Sequence, residues 1–429
     1  MNTTINRSTP PPSVPIENIS IREIKQSTLA NGIPLYSLSA GVQDVVKMEL
    51  IFPNTNFNPE EPLLFSAANR LLSEGTSKHN AQQLAEMIDD FGAFYETSES
   101  ADFCSVEVHT LNKHLSEVLP ILFEIVTDAV FPESELGVYK QNNKQRLIVE
   151  NEKVNSIARR KFGEIIFGNK HPYGFYVNPE DYDKLQQSSI KTFHKIQYTG
   201  NHCKMIVSGM VKDNTLKGLN DVFGKPDWMR SNGTSEKASK INASPQKKTY
   251  IEKENAVQSA IRVGKLMFNK THPDYHGMLV LNTLLGGYFG SRLMKNIRED
   301  KGYTYGIGSA MVSMRDGGYF FVASEVGADV CNAALGEIYK EIALLRTEPV
   351  SEEELQMVKN YMLGSFLKSI DGAFNLADRW KGLMFYNLGY DYYYRFIETI
   401  KSITPHQIME LAQKHFTEDS FYELVVGKK

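Results

Sequence analysis

The hydrophobic pattern of the chain starts late. The opening stretch is polar and proline-rich, and Pro10 to Pro12 predict an extended arm over 1–22, because consecutive prolines favour polyproline geometry and cannot continue a ladder. Two strand-like runs then flank Asn31-Gly32, residues that tolerate positive φ, and predict a hairpin. VVKMELIF at 45–52 predicts a buried strand. Residues 63–72 carry helical spacing that stops at Gly75, and Asn80 is placed to cap a second helix that runs to Phe91 and closes at Gly92. Strands are expected at 93–98 and 103–109.

Between 225 and 246 the periodicity disappears. KPDWMRSNGTSEKASKINASPQ is rich in Ser, Asn, Lys and Gly, and predicts a linker between an N-terminal lobe at 23–224 and a C-terminal lobe at 247–429. The second half then repeats the order of the first. HLSEVLPILFEIVTDAVFPESELGVYKQN and CNAALGEIYKEIALLRTEPVSEEELQMVKN each hold an amphipathic helix and a break at Pro132 or Pro349. An acidic helix start at Glu133 or Glu352 follows, then a lysine at Lys140 or Lys359. An offset of roughly 215 residues is too long for a solenoid and implies a duplicated domain, hence two facing lobes. The expected fold class is α+β, a mixed α/β arrangement of two homologous lobes.

Composition narrows the function classes. With 41% apolar and 23% charged residues there is material for two cores, as the length of 429 residues suggests. The formal net charge of −4 is small and no dense Lys/Arg stripe occurs, so nucleic acid and anionic membranes have no electrostatic footprint. No run approaches the roughly 18 apolar residues of a membrane span. The N-terminal segment lacks the apolar stretch of a secretory signal, and a cytoplasmic location is expected. Cys104, Cys203 and Cys331 lie far apart without a CxxC pair, and are expected as small buried hydrophobes in a reducing compartment.

Three segments carry a closer resemblance. LLSEGTSKHNAQQLAEMIDDFGAFYE, HPYG at 171–174 and above all LLGGYFGSRLMKNIREDKGYTYGIGS resemble landmarks of the pitrilysin/insulinase family of metallopeptidases. The likeness extends over nearly the whole chain beyond the arm. It implies that each lobe is a mostly antiparallel sheet with helices packed on it, and that the two form half of a clam-shaped chamber.

Peptidases of that family carry HxxEH. Two histidines on one helix face bind zinc, the glutamate before the second polarises the attacking water, and a distal glutamate completes the ligand set. Counted back from Gly75-Thr76, the motif falls on SAANR at 66–70. Ser66 and Arg70 stand at the histidine positions and Asn69 at the general-base position. Serine is a poor zinc ligand, Asn has no useful proton affinity, and Arg70 brings a permanent positive charge to the cation's place. By residue type alone, SAANR also reads as a polar stripe on a half-buried helix. Glu150 and Glu152 both remain open for the distal position. His272 and His276 have ligand spacing in THPDYHGM, but no glutamate accompanies them and a structural or solvent-facing role is expected. No metal is expected on this chain.

The substrate half of such a site is retained. Arg298 closes a helix before Gly302, and Tyr305 follows on a strand-like run. In the resembling family an Arg and a Tyr at this spacing reach across the chamber, the Arg to orient the peptide and the Tyr hydroxyl to donate to the developing oxyanion. Arg near a helix C-terminus and Tyr in a strand are also ordinary structural choices. Gly286, Gly287, Ser291 and Arg292 frame the adjoining turn, which lacks the Gly-Lys-Ser/Thr ending of a phosphate loop.

The resemblance therefore points to the HxxEH-lacking, Arg/Tyr-bearing subunit of bacterial heterodimeric members, similar to the non-catalytic subunits of processing peptidases. That implies a non-zinc subunit of a heterodimeric zinc metalloendopeptidase acting on peptides, with zinc in an HxxEH-bearing partner of similar length. A catalytically inactive binding or scaffold protein with the same fold is the alternative. A self-sufficient peptidase with other ligands is a third reading.

Overall fold

The structure is a computed structural model that describes residues 8, 16–55, 57–229 and 240–428. Its first sheet contains β1 (Lys25–Thr28), β2 (Pro34–Ser39), β3 (Val45–Pro53), β4 (Phe94–Glu99), β5 (Phe103–Leu111) and β6 (Lys204–Gly209), in the order β1-β2-β6-β3-β5-β4. β1 and β2 form the expected hairpin, with Gly32 at φ +90° in its turn. One face of β3 buries Val46, Met48, Leu50 and Phe52 against helices α1 (Leu64–Arg70), α2 (Ala81–Asp89) and α3 (Leu115–Thr127). Asn80 caps α2 in a capping box with Gln83, which satisfies two of the helix's unpaired N-terminal donors. The first half also holds α4 (Glu133–Glu150), α5 (Val154–Phe167), α6 (Pro179–Lys184), α7 (Gln187–Gln197) and α8 (Asp213–Phe223).

The second sheet contains β7 (Lys248–Glu252), β8 (Gln258–Met267), β9 (Thr304–Met314), β10 (Gly317–Gly327) and β11 (Tyr422–Gly427), in the order β7-β11-β8-β10-β9. Its half holds α9 (Tyr275–Asn282), α10 (Cys331–Thr347), α11 (Glu352–Ser369), α12 (Ala373–Met384), α13 (Asp391–Ser402) and α14 (Pro405–His415). Apart from β1, the two sheets share one plan: each is antiparallel except for a single parallel pair, β2 with β6 and β7 with β11. The lysines singled out in the repeat also match in role. Lys140 Nζ donates to the Leu185 carbonyl at 2.9 Å, and Lys359 Nζ donates to the Lys401 carbonyl at 3.2 Å. Each ties a long helix to the segment that precedes the parallel strand.

The repeats are not packed as two separate units. α5 belongs to the first half but lays Ala158, Phe162 and Ile166 against Ala260, Leu424 and Val426 of the second sheet. α12 belongs to the second half but lies on β2 and β6 of the first, with Trp380 5.5 Å from Tyr36. This exchange explains the charges inside the strand expected at 45–52. The face of β3 that meets α12 carries Lys47 and Glu49, and these pair with Asp378 at 3.0 Å and Lys381 at 2.8 Å. HPYG serves the same junction. His171 stacks on Phe167, and the Tyr173 hydroxyl donates to Asp102, whose carboxylate accepts the Arg315 amide at 3.0 Å.

The ends of the 225–246 segment are anchored: Trp228 is buried in the first core, and the Asn242 and Ser244 amides donate to the Phe167 and Ile165 carbonyls. Residues 230–239 lie outside the described residues, as do Pro10 to Pro12 of the arm. Among the arm residues that are described, Ile16, Ile19 and Ile21 pack on the second core. The three cysteines are buried and none is in a disulfide. No described helix is long and apolar enough to cross a membrane.

Candidate functional site

On the first lobe, two of the SAANR positions, Ser66 and Asn69, are taken up by the protein itself. Ser66 Oγ donates to Glu99 at 3.0 Å and lies 3.4 Å from the Tyr139 hydroxyl. Asn69 is fully buried; its Nδ2 donates to the Ser98 carbonyl at 2.8 Å and its Oδ1 accepts from the Tyr198 hydroxyl at 3.1 Å. The amide therefore ties α1 to the edge strand β4. Arg70 is exposed. A hydroxyl, an amide whose oxygen is taken, and a guanidinium do not fit zinc. Among the described residues, no group of three His, Cys, Asp or Glu side chains is placed to hold a metal.

Neither distal candidate reaches this place. Glu150 accepts from Lys153 and Ser156, some three turns beyond Tyr139 on α4, or roughly 16 Å. Glu152 pairs with Lys253 at 2.7 Å. The residue of α4 that does face Ser66 is Tyr139, whose phenol burial holds above its usual range. Tyr139 and Glu99 escape the sequence reading because a helix and a strand remote in sequence deliver them.

His272 and His276 do not converge either. His272 stacks on Phe268 at 3.8 Å and its Nδ1 accepts the Asp274 amide. His276 packs against Tyr392 at 4.4 Å, and burial, followed by the charge of Arg395, holds its imidazole down to about 4.

On the second lobe the backbone departs from the simple helix read in the sequence. α9 continues into a π-helical turn, Thr283–Gly287, and a second π-helical stretch, Met294–Asp300, carries Arg298. Such widened turns are uncommon and concentrate at functional sites. Close approach to β9 constrains the first: a Cβ on Gly286 would lie 2.6 Å from the Ser309 amide nitrogen. Gly287 sits over Asn282, where a Cβ would meet Nδ2 at 3.0 Å. Ser291 is buried, with its amide donating to the Tyr288 carbonyl at 3.2 Å. Arg292 grips Glu354 with two hydrogen bonds of 2.7 Å. These four residues hold the turn, and the Arg292 guanidinium is committed to α11.

Arg298 and Tyr305 are not committed in that way. Arg298 is half-buried; its guanidinium lies 4.7 Å from the centre of the Phe289 ring, and it forms no ion pair with a described residue. Gly302, at φ +66°, turns the chain, the Tyr303 amide donates to the Ile297 carbonyl at 3.0 Å, and β9 then packs beside the π-helical stretch. Tyr305 is 93% exposed, and its hydroxyl has no partner among the described residues. Adjacent elements of one lobe thus present a guanidinium and a phenol with donors unused, the equipment needed to orient a carbonyl and to meet a developing oxyanion.

Residues 67–171 match the model of the insulinase family, peptidase family M16, and residues 184–362 match the model of the peptidase M16 inactive domain. The chain belongs to the M16 insulinase family. The first match begins inside SAANR, and the second runs through Arg298 and Tyr305. An uncharacterized zinc protease of Bacillus subtilis, YmxG, is 24% identical over 355 residues, which cover 82% of this chain and 85% of that protein. The crystal structure of a peptidase M16 inactive domain from Pseudomonas fluorescens shares the fold, with a TM-score of 0.85 at 19% identity, covering 95% of this chain and 98% of the other. The periplasmic protease PqqL of Escherichia coli superposes with a TM-score of 0.79 at 13% identity, over 99% of this chain but only 49% of PqqL. None of the 10 histidines of this M16 chain opens an HxxEH sequence.

Proposed function

We propose that this M16 chain is the non-zinc subunit of a heterodimeric zinc metalloendopeptidase, in which Arg298 and Tyr305 act on peptides held at a partner's zinc. The contrast between the two lobes carries the reading. On the first, Ser66 and Asn69 are taken up in hydrogen bonds that hold α1, and Arg70 puts a positive charge at the third motif position. On the second, Tyr305 is exposed with its hydroxyl unpartnered, beside an arginine that has no ion pair. A scaffold has no chemical need for that couple. In the proposed complex Arg298 orients the peptide backbone and Tyr305 donates to the oxyanion of the tetrahedral intermediate.

This chain covers 49% of PqqL, a protease about twice its length, and that relation supports a partner of similar length. The three buried cysteines without a disulfide support a reducing, cytoplasmic location.

Affinity capture of the tagged chain from its own cells, followed by peptide hydrolysis assays on the captured complex, tests this. An HxxEH-bearing partner in near-equal amount is expected. Tyr305→Phe is expected to leave capture unchanged and lower turnover by about 10²–10³-fold, the usual cost of one oxyanion donor. Full turnover in the variant would refute the assignment, and capture without an M16 partner would favour the scaffold alternative.

A further inference from the structure

We infer that Phe289 is a positioning residue for Arg298, a flat aromatic ledge that fixes the guanidinium while leaving its donors free. The inference rests on the roles proposed above for Arg298 and Tyr305. The turn that joins the two π-helical stretches sends its two aromatic side chains in opposite directions. Tyr288 turns inward and packs on Tyr361 of α11 at 4.8 Å, which anchors the turn. Phe289 turns outward and is 64% exposed. Glycines bracket the pair, and a Cβ on Gly290 would lie 2.8 Å from the Tyr288 ring. The outward direction of Phe289 brings its ring to 4.7 Å from the Arg298 guanidinium.

A second arginine of the same segment shows what this support achieves. Arg292 is held by a carboxylate, and Glu354 occupies two of its donors at 2.7 Å and neutralises its charge. A guanidinium held that way is immobile but unavailable. A ring face restrains the same group through its charge and its plane, and the N–H bonds, which lie in that plane, still point outward. An arginine that must bind a peptide needs restraint of this second kind, because an unrestrained side chain would lose its rotamer freedom at every binding event. Phe289 reaches the substrate only through Arg298.

The test uses the full chain with its captured partner and a quenched fluorogenic peptide that the wild-type complex cleaves. Phe289→Leu keeps an apolar side chain but removes the ring face; its exposed position makes loss of folding a minor concern. Phe289→Leu is expected to lower kcat/KM about two- to fivefold, the scale of one exposed cation–π contact, with recovery in Phe289→Tyr and Phe289→Trp. In an Arg298→Ala background, Phe289→Leu is expected to add nothing. A parallel measurement on the chain alone follows the Arg298 Nε–H nuclear magnetic resonance signal. The ring should displace that signal in wild type and Phe289→Tyr and release it in Phe289→Leu.

Wild-type kcat/KM in Phe289→Leu, with Arg298→Ala impaired, overturns the inference and leaves the subunit reading standing. An equal loss in the Arg298→Ala background, or an unmoved Arg298 signal, overturns it too. Full activity in both Arg298→Ala and Tyr305→Phe removes the subunit reading, and this inference with it.

Discussion

Asn69 shows how a buried amide is satisfied. On the proposed alignment it occupies the position of the family's general base, and both ends of its amide bond to Ser98 and Tyr198. Restoring the motif with Ser66→His, Asn69→Glu and Arg70→His would place a carboxylate in a fully buried site shaped for an amide. The triple variant is expected to lose about 3–5 kcal/mol of stability and to bind no zinc, as urea unfolding and metal analysis by mass spectrometry would show. A stable, zinc-loaded variant would contradict this.

Two buried imidazoles set a second expectation. Burial holds His194 and His276 down to about 4, against 6.5 for the free group. The folded chain keeps them neutral while the unfolded chain takes up protons below pH 6.5, so their contribution is full above 6.5 and is lost as pH falls towards 4. A loss on the order of 1–2 kcal/mol per histidine is expected between pH 7 and pH 5. His276→Phe, whose ring suits the site between Tyr392 and Phe396, should flatten that dependence in urea titrations. At this scale the sequence exposes positions but not partners. Ser66, Asn69 and Arg70 follow from counting along a helix, whereas Glu99 and Tyr139 arrive from 33 and 73 residues away, and no spacing announces them.

Among the elements, the hairpin at Asn31-Gly32 and the cap at Asn80 were legible because local chemistry decides them. The π-helical stretches were not. LLGGYFGSRLMKNIRED has the apolar spacing of an ordinary helix with a glycine break, and the widening comes from contact with a strand that follows later. Gly286 marks that contact. Gly286→Ala would push a methyl to 2.6 Å from the Ser309 amide nitrogen, whereas Gly287→Ala would come no closer than 3.0 Å to the Asn282 side chain and 3.2 Å to its backbone carbonyl oxygen. The first is expected to cost about 1–3 kcal/mol and the second clearly less, measurable as a larger fall in thermal midpoint for Gly286→Ala. Equal effects would show that β9 does not set the shape of the turn. The charges in VVKMELIF were similarly opaque: the strand was readable, but not that α12 supplies Asp378 and Lys381 to pair with Lys47 and Glu49.

For the whole molecule, the duplication was readable from matched segments such as those around Lys140 and Lys359, because repeated elements keep their order. The exchange of α5 and α12 was not, since nothing in a helix's own pattern says whose sheet it covers. Its energetic consequence is direct. Each half, 16–229 or 240–428, would expose a sheet face and leave one helix without its seat, so each is expected to be insoluble or molten when expressed alone. Co-expression should give a soluble pair that purifies together, and cleavage within 230–239 should leave the halves bound. A monomeric, cooperatively folded half in near-ultraviolet circular dichroism and gel filtration would refute this.

The same exchange bears on ancestry. A solitary lobe of this plan carries one helix too many for its own sheet and one too few to cover it. Two identical copies solve the problem at once, each giving its helix to the other across a two-fold axis. Gene fusion would then need only to join the end of one copy to the start of the next, and the later copy would be free to drift. The present chain has the form of that event: a swapped homodimer written as one polypeptide. In its first copy Ser66 and Asn69 are tied into hydrogen bonds, and in its second Tyr305 stands exposed, its hydroxyl free among the described residues.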